Sequence, residues 1–398
     1  MIPYSNPHPR GHAGSAAAVF SRMLRPVVVP HDLIGHRTPC DIFNARGAVW
    51  IKAGSTIPQS VGDPSYAGRF YCRAAEAGQI SFLDPIRGLQ RVAGDLSDIA
   101  ARIARGEHVA VGELASLVRQ VRELWAADAD ACLGYARLAR FGRHSIWHTI
   151  HVALLTAELA AACSYEGDEL ESMIGGALTM NLAQLSLHDE MYELYGALDS
   201  GLQDALRLHP LESVRLLGRI GKFDGAWVDA VALHHENVDG SGYPLQLKGA
   251  DIALSSRIVR VADTFAARVT GRRSRPPRHW NIMHAREIPM LVEHVFGADL
   301  LRLDHTLVRR LIDVLGRFPP GSLVRLSNRE LALVTRRQSG LHNKPSQVYA
   351  IFDALGHPLE APRLRQIGFG QYEIRGYAHD QLPKLPDFDW PTAWGYGL

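Results

Sequence analysis

Between about residues 140 and 317, apolar side chains return at helical spacing: Leu154, Leu155 and Leu159, then Leu206, Val214 and Leu217, then Val228, Val231 and Leu233. A helix with one apolar face must cover it, and several such helices in succession can cover one another only by bundling. The spacing therefore predicts a mostly α chain. Shorter β-prone pieces flank the helical region. Asp41-Ile42-Phe43, a turn at Asn44 to Gly47 and Val49-Trp50-Ile51 read as a hairpin inside a small β-rich module over 25–75. Apolar periodicity in 92–106 and 112–140 predicts helices in a linker over 76–139, leading into the main helical domain over 140–340. Val324-Arg325-Leu326, Leu331 to Val334 and Val348 to Phe352 predict a short C-terminal hairpin or sheet, with 341–398 as a last strand and an irregular tail from Pro383. Residues 1–24, rich in turn formers, read as a disordered tail.

Charge narrows the partners. The 43 basic and 41 acidic residues leave a formal charge of +2, too little for a broad nucleic-acid or anionic-membrane surface, so any phosphate ligand is met locally. The longest apolar run, Val152 to Cys163, carries Glu158 and is too short to cross a bilayer. Met1 to Ser15 lacks the apolar core of a signal peptide. Four cysteines, at 40, 72, 132 and 163, form no CxxC pair and suggest neither a zinc ribbon nor a disulfide scaffold. A cytoplasmic location is expected, and the oligomeric state is left open.

The chemistry concentrates in the histidines, of which there are 19. His144, His148 and His151 are spaced at four and three, which puts His144 and His148 on one helix face. His209 stands before Pro210 at the end of the Leu206-Arg207-Leu208 turn, and His234-His235 follow the apolar run Val231-Ala232-Leu233. Asp263 ends Ile258-Val259-Arg260-Val261-Ala262, where a buried charge is costly without a partner. Imidazoles and a carboxylate brought together from separate helices are a usual means of holding a divalent metal in a bundle core.

Residues 234–244 read His-His-Glu-Asn-Val-Asp-Gly-Ser-Gly-Tyr-Pro. Asp239-Gly240 and Gly242 suit a tight loop, Tyr243 can stack or donate a hydrogen bond, and Pro244 fixes the exit. This string resembles the HHExxDGxGYP motif of the HD-GYP family of cyclic di-GMP phosphodiesterases. His148-Thr-Ile-His-Val is similar to the family's HxxxV helix, His209-Pro210 to its HP, and Arg257-Ile-Val-Arg-Val-Ala-Asp263 to its RIxxxaD segment. The resemblance implies an HD-type helical bundle in bacterial cyclic di-GMP signalling. It also implies metal ligation by His148, His209, His234, His235 and Asp263, with iron or manganese as the usual ions. Tyr243, Gly240, Gly242 and Pro244, with Arg272 and Arg275, are implied in nucleotide binding.

The likeness fails at its centre. Where the family has HDxGK, Ala177-Leu-Thr-Met-Asn-Leu-Ala-Gln184 puts Met180 for the histidine, Asn181 for the bridging aspartate and Gln184 for the lysine. His188-Asp189 is an alternative, displaced pair, but the ungapped fit of Gly175-Gly176-Ala177-Leu178 to the preceding helix puts it in the following loop. By the resemblance, one metal site is reduced to His148 and Asp263, with His144 as a partial replacement. The other keeps His209, His234 and His235, so one divalent ion is expected and a second is not. Two adjacent ions clamp the attacking and leaving oxygens, and one cannot. The expectation is a degenerate member that binds cyclic di-GMP or a signalling partner with lost or strongly reduced hydrolysis. Two alternatives are a phosphodiesterase with a rebuilt or mononuclear site, and an interaction module whose GYP loop contacts a diguanylate cyclase. Arg257, Arg260, Arg272, Arg273 and Arg275 read equally well as phosphate contacts or as a solvated face.

Overall fold

The computed structural model describes residues 24–29, 33–44, 47–62, 70–73, 75–76, 81–82, 84–139, 142–193, 200–270, 296–337, 345–367, 371–378, 390–394 and 396. They fall into two compact units, Met1–Asp84 and Pro85–Leu398. No helix among the described residues is long and apolar enough to cross a membrane.

The first unit is an antiparallel sheet of β1 (Leu24–Val28), β2 (Ile42–Phe43), β3 (Val49–Ile51), β4 (Phe70–Arg73) and β5 (Ser81–Phe82), in the order β3-β2-β4-β1-β5. The hairpin read from Asp41 to Ile51 is β2–β3, with Gly47 at φ +74° in its turn. Two boundaries move. Leu24, assigned to the tail, pairs with Arg73, and the sheet runs past residue 75 because Ser81 and Phe82 add to the free edge of β1. Residues 1–23 lie outside the described residues.

The second unit begins with α1 (Pro85–Ala104), whose proline occupies a position where a missing N–H is harmless. There follow α2 (Val111–Leu138), α3 (His144–Ala162), α4 (Gly167–Thr179), α5 (Leu185–Glu193), α6 (Ser200–Ile220), α7 (Gly225–Leu233), α8 (Leu254–Thr270) and α9 (His305–Leu315). Helix α3 is the centre of the bundle, packing on α2, α4 and α8, and is buried on nearly every face, as a helix with almost no polar stripe must be. Ile150, Leu154, Ile174, Val231, Ile258 and Val259 are fully buried around it, at about 1.5–3 kcal/mol for each large apolar side chain. Close approach of α4 and α7 depends on Gly175 and Gly176: an added Cβ would lie 2.5 Å from the Trp227 ring or 2.4 Å from Ala230 Cβ.

The C-terminal strands form a sheet, one of the two forms expected for them. β6 (Leu323–Leu326), β7 (Leu331–Arg337), β8 (Pro345–Phe352), β9 (Pro358–Gln366) and β10 (Ile374–Tyr377) form one antiparallel sheet in the order β10-β6-β7-β8-β9. The division expected at 340/341 thus runs through a sheet, and the helices assigned to a linker belong to the bundle's compact unit. Within the tail, Trp390–Trp394 forms a 3-10 turn that buries Trp394, while 381–389 lie outside the described residues.

Candidate metal centre

His209 lies in the middle of α6 rather than at the end of a turn, and the following proline explains its orientation. In an α-helix the N–H of residue 210 would bond the carbonyl of residue 206, but Pro210 has none. The Leu206 carbonyl is left for the His209 ring, whose Nδ1–H donates to it at 2.6 Å. His234 caps the end of α7, where carbonyls lack helical partners, and its Nδ1–H donates to the Val231 carbonyl at 2.8 Å. Since a carbonyl only accepts, both rings carry their proton on Nδ1 and present a bare Nε2.

Those two Nε2 atoms lie 3.0 Å apart. Burial is the main cause that lowers His209 to about 3 and His234 to about 4, so neither ring gains a second proton near neutrality. Two lone pairs therefore face each other in a buried place, an arrangement that a shared cation would relieve. His235 brings its ring within 4.2 Å of His234 and 5.0 Å of His209, and the three ligating atoms all lie within 4.8 Å of one another. Among the described residues this is the one such group of three or more metal-type ligands. The donor set suits a borderline divalent ion, and the carbonyls behind His209 and His234 are the outer partners that ligating histidines normally have.

Asp263, on α8, accepts from His148 Nε2 at 2.9 Å. Burial would raise its carboxyl, but the hydrogen bond and charge of His148, with His234 and Arg260 nearby, hold it well below the ordinary range. His144 does not reach this pair: its ring stacks on Tyr192 at 3.8 Å and sits 6.1 Å from His148. His188-Asp189, expected in a loop, is in α5, because Leu185 and Met191 bury one side of that short helix. The two residues part company. Asp189 accepts from Ser145 N at 2.7 Å and from Arg143 Nε at 2.8 Å, an anion at the start of α3. The His188 ring instead lies 4.8 Å from that of His148.

Met180 is fully buried at the end of α4. Gln184 Nε2 donates to Asn181 Oδ1 at 2.9 Å, so the two substituted amides satisfy one another in part. Gln184 Oε1 is buried with no hydrogen-bond partner among the described residues.

The 236–247 loop is held from within. Glu236 is buried, and its carboxylate accepts the backbone N–H groups of Leu245 (2.6 Å), Gln246 (3.0 Å) and Leu247 (3.1 Å). Gly240 sits at φ +82°, and a Cβ on Gly242 would lie 2.3 Å from Asn237 N, so both positions require glycine. The Tyr243 ring stacks on His235 at 4.7 Å, and the Tyr243–Pro244 bond is cis. Arg257, expected in the arginine group, pairs with Asp304, while Arg260 turns towards His235. Arg272, Arg273 and Arg275 lie outside the described residues. Glu236 is the contributor that sequence reasoning missed, while His188 and Arg260 were named there without the contacts they make here. Glu236 was readable as the third residue of the motif string; for the other two, spacing along the chain does not say which histidine they meet.

The bundle gathers imidazoles and an aspartate from α3, α6, α7 and α8, and residues 124–287, less than half of the chain, match the HD domain family. The chain is also similar to curated cyclic di-GMP phosphodiesterases. It is 24% identical over 230 residues to cyclic di-GMP phosphodiesterase PA4108 of Pseudomonas aeruginosa, covering 58% of this chain and 53% of that protein. It is 32% identical over 123 residues to the cyclic di-GMP phosphodiesterase response regulator RpfG of Xanthomonas campestris pv. campestris, covering 31% of this chain and 32% of that protein. The chain thus spans about half or less of the length of these relatives. A solved structure of Bd1817, a HDG"Y"P protein from Bdellovibrio bacteriovorus, aligns with a TM-score of 0.46 and 13% identity over 73% of this chain and 98% of that one.

Proposed function

We propose that this chain is a degenerate HD-GYP protein that binds cyclic di-GMP, holds one divalent ion, and hydrolyses the dinucleotide slowly or not at all. The ligand class comes from the relatives, which are named as cyclic di-GMP phosphodiesterases. The observation that carries the single-ion reading is the pair of bare Nε2 atoms on His209 and His234, 3.0 Å apart beside His235, with Met180 and Asn181 where a further imidazole and a bridging carboxylate would stand. These three histidines would hold the ion, which when bound supplies Lewis-acid polarisation of a phosphate oxygen.

The chain's own residues explain the weak turnover. Asn181 is neutral and already accepts from Gln184, so it is a poor bridge. Gln184 brings no positive charge to a phosphate. Losing the two-ion clamp removes several kcal/mol of transition-state stabilisation, and about 1.4 kcal/mol is tenfold in rate. The ordered 236–247 loop keeps Tyr243 beside the site for a base, with Arg272 and Arg275 as the proposed phosphate contacts.

Calorimetric titration with cyclic di-GMP, run beside a turnover assay in Mn²⁺ and in Fe²⁺ without oxygen, tests this reading. Binding without turnover is expected, and rapid appearance of pGpG or GMP overturns it. An active phosphodiesterase with a rebuilt site is favoured by one observation, the approach of His188 to the His148–Asp263 pair. Two ions per chain after anaerobic purification would select it, whereas one ion selects the degenerate reading.

A further inference from the structure

Beside the three imidazoles the chain holds a cation of its own. Arg260 stands on α8 one turn before Asp263, with 18% of its side chain exposed. Its Nη2 donates to Asn237 Oδ1 at 3.0 Å, and its Nη1 lies 3.3 Å from His235 Nδ1 and 3.9 Å from Asp263 Oδ2. Its Nε is buried with no hydrogen-bond partner among the described residues. The guanidinium is thus held at the site by contacts to a proposed metal ligand, to the 236–247 loop and to the aspartate. It is not a solvated charge.

A guanidinium has five donors and no acceptor, so in its contact with His235 the imidazole Nδ1 must accept. A neutral ring whose Nδ1 accepts carries its proton on Nε2. His235 is then in the opposite tautomer to His209 and His234, and its Nε2 ligates only after that proton leaves or moves to Nδ1, at the expense of the contact with Arg260. The same guanidinium places a permanent positive charge next to Asp263, the one carboxylate of the cluster, and in a poorly solvated site such a charge repels a dication at several ångströms. We infer that Arg260 is a built-in competitor of the metal, standing in for the charge of a second ion and weakening capture of the first by withholding His235.

This rests on the reading of the site as a metal centre, and the test separates the two. The EDTA-stripped full-length protein and the variants Arg260→Met and Arg260→Lys are titrated with Zn²⁺ against a chromophoric chelator at pH 7.5. Arg260→Met is expected to bind about tenfold more tightly or to take up an additional ion, while Arg260→Lys stays near the wild type. If the wild type binds one ion and Arg260→Met binds no better, the inference fails and the single-ion reading stands. If only Arg260→Met binds, the inference holds and the single-ion reading fails. Binding by neither overturns both, and an Arg260→Lys variant as tight as Arg260→Met removes the charge argument. A measurement on the metal-free wild type needs no variant: ¹⁵N resonances of the histidine rings should show His235 with its proton on Nε2 and His209 and His234 with theirs on Nδ1. A proton on Nδ1 of His235 overturns the proposal.

Discussion

At the scale of single residues, Pro210 does more than shape a helix. Its missing N–H leaves the Leu206 carbonyl to the His209 ring and so selects the tautomer that exposes Nε2. Replacing Pro210 with Ala restores a competing N–H without removing any ligand. The helix should become no less stable, since proline is the poorest helix former, yet the fraction of His209 with its proton on Nδ1 should fall and Zn²⁺ affinity with it, by about tenfold or more, as for other losses of outer partners. Ring ¹⁵N shifts and chelator competition measure both; unchanged values would mean that the carbonyl does not set the tautomer. Of the residues named from sequence, His148, His209, His234, His235 and Asp263 were legible because a motif string and helical spacing marked them. Arg260 was not, since an arginine on an amphipathic helix looks the same whether it meets water or a ligand. Cys40 and Cys72 give a second instance: 32 positions apart, they touch side chain to side chain in the first unit, and burial pushes the Cys72 thiol up to about 12.

At the scale of elements, the helices were readable and their ends were not. Periodicity marks a buried stripe, but ends depend on caps. Helix α2 starts at Val111 because Glu113 reaches back to the Ala110 N–H at 2.9 Å, the returning half of a capping box, while Arg102 of α1 holds its other oxygen at 2.6 Å. The Arg102 hydrogen bond first, and that backbone N–H second, lower the Glu113 carboxyl from 4.5 to about 2. A depressed carboxyl contributes stability above its unfolded value and loses it as the pH falls towards the folded one. Glu113→Ala should therefore lower the melting temperature at pH 7, and the gap to wild type should narrow steadily below about pH 4.5. Thermal melts from pH 7 to 3 check this, and a gap constant with pH would show that only the helix propensity changed. His188-Asp189 was placed in a loop because the buried apolar positions around it, Leu185 and Met191, are too few for a periodic signal.

At the scale of the whole molecule, the bundle and the C-terminal sheet of the second unit are joined by charge. Arg337, on β7, bonds Asp130 of α2, Glu158 of α3 and the Val314 carbonyl of α9, and only 9% of its side chain is exposed. Its neighbour Arg336 pairs with Asp128, where α2 departs from helical geometry at φ −156°, and Tyr396 donates to the same carboxylate at 2.7 Å. Arg337→Met would strip the poorly solvated Asp130 and Glu158 carboxylates of their hydrogen-bonded guanidinium, at a cost of about 3–5 kcal/mol. Urea denaturation reads that loss directly, and a change under about 1 kcal/mol would mean water replaces the arginine. None of this was visible in the sequence, where Arg337 is separated from Asp130 by 207 positions. The stretch that matches the HD domain family ends at 287, well before Arg337. A fragment trimmed to the limits of that likeness would keep the anions and discard the groups that neutralise them. The border of the likeness is not a border of folding, and excising the recognisable part would strip Asp128, Asp130 and Glu158 of their guanidinium partners instead of yielding a miniature of the protein.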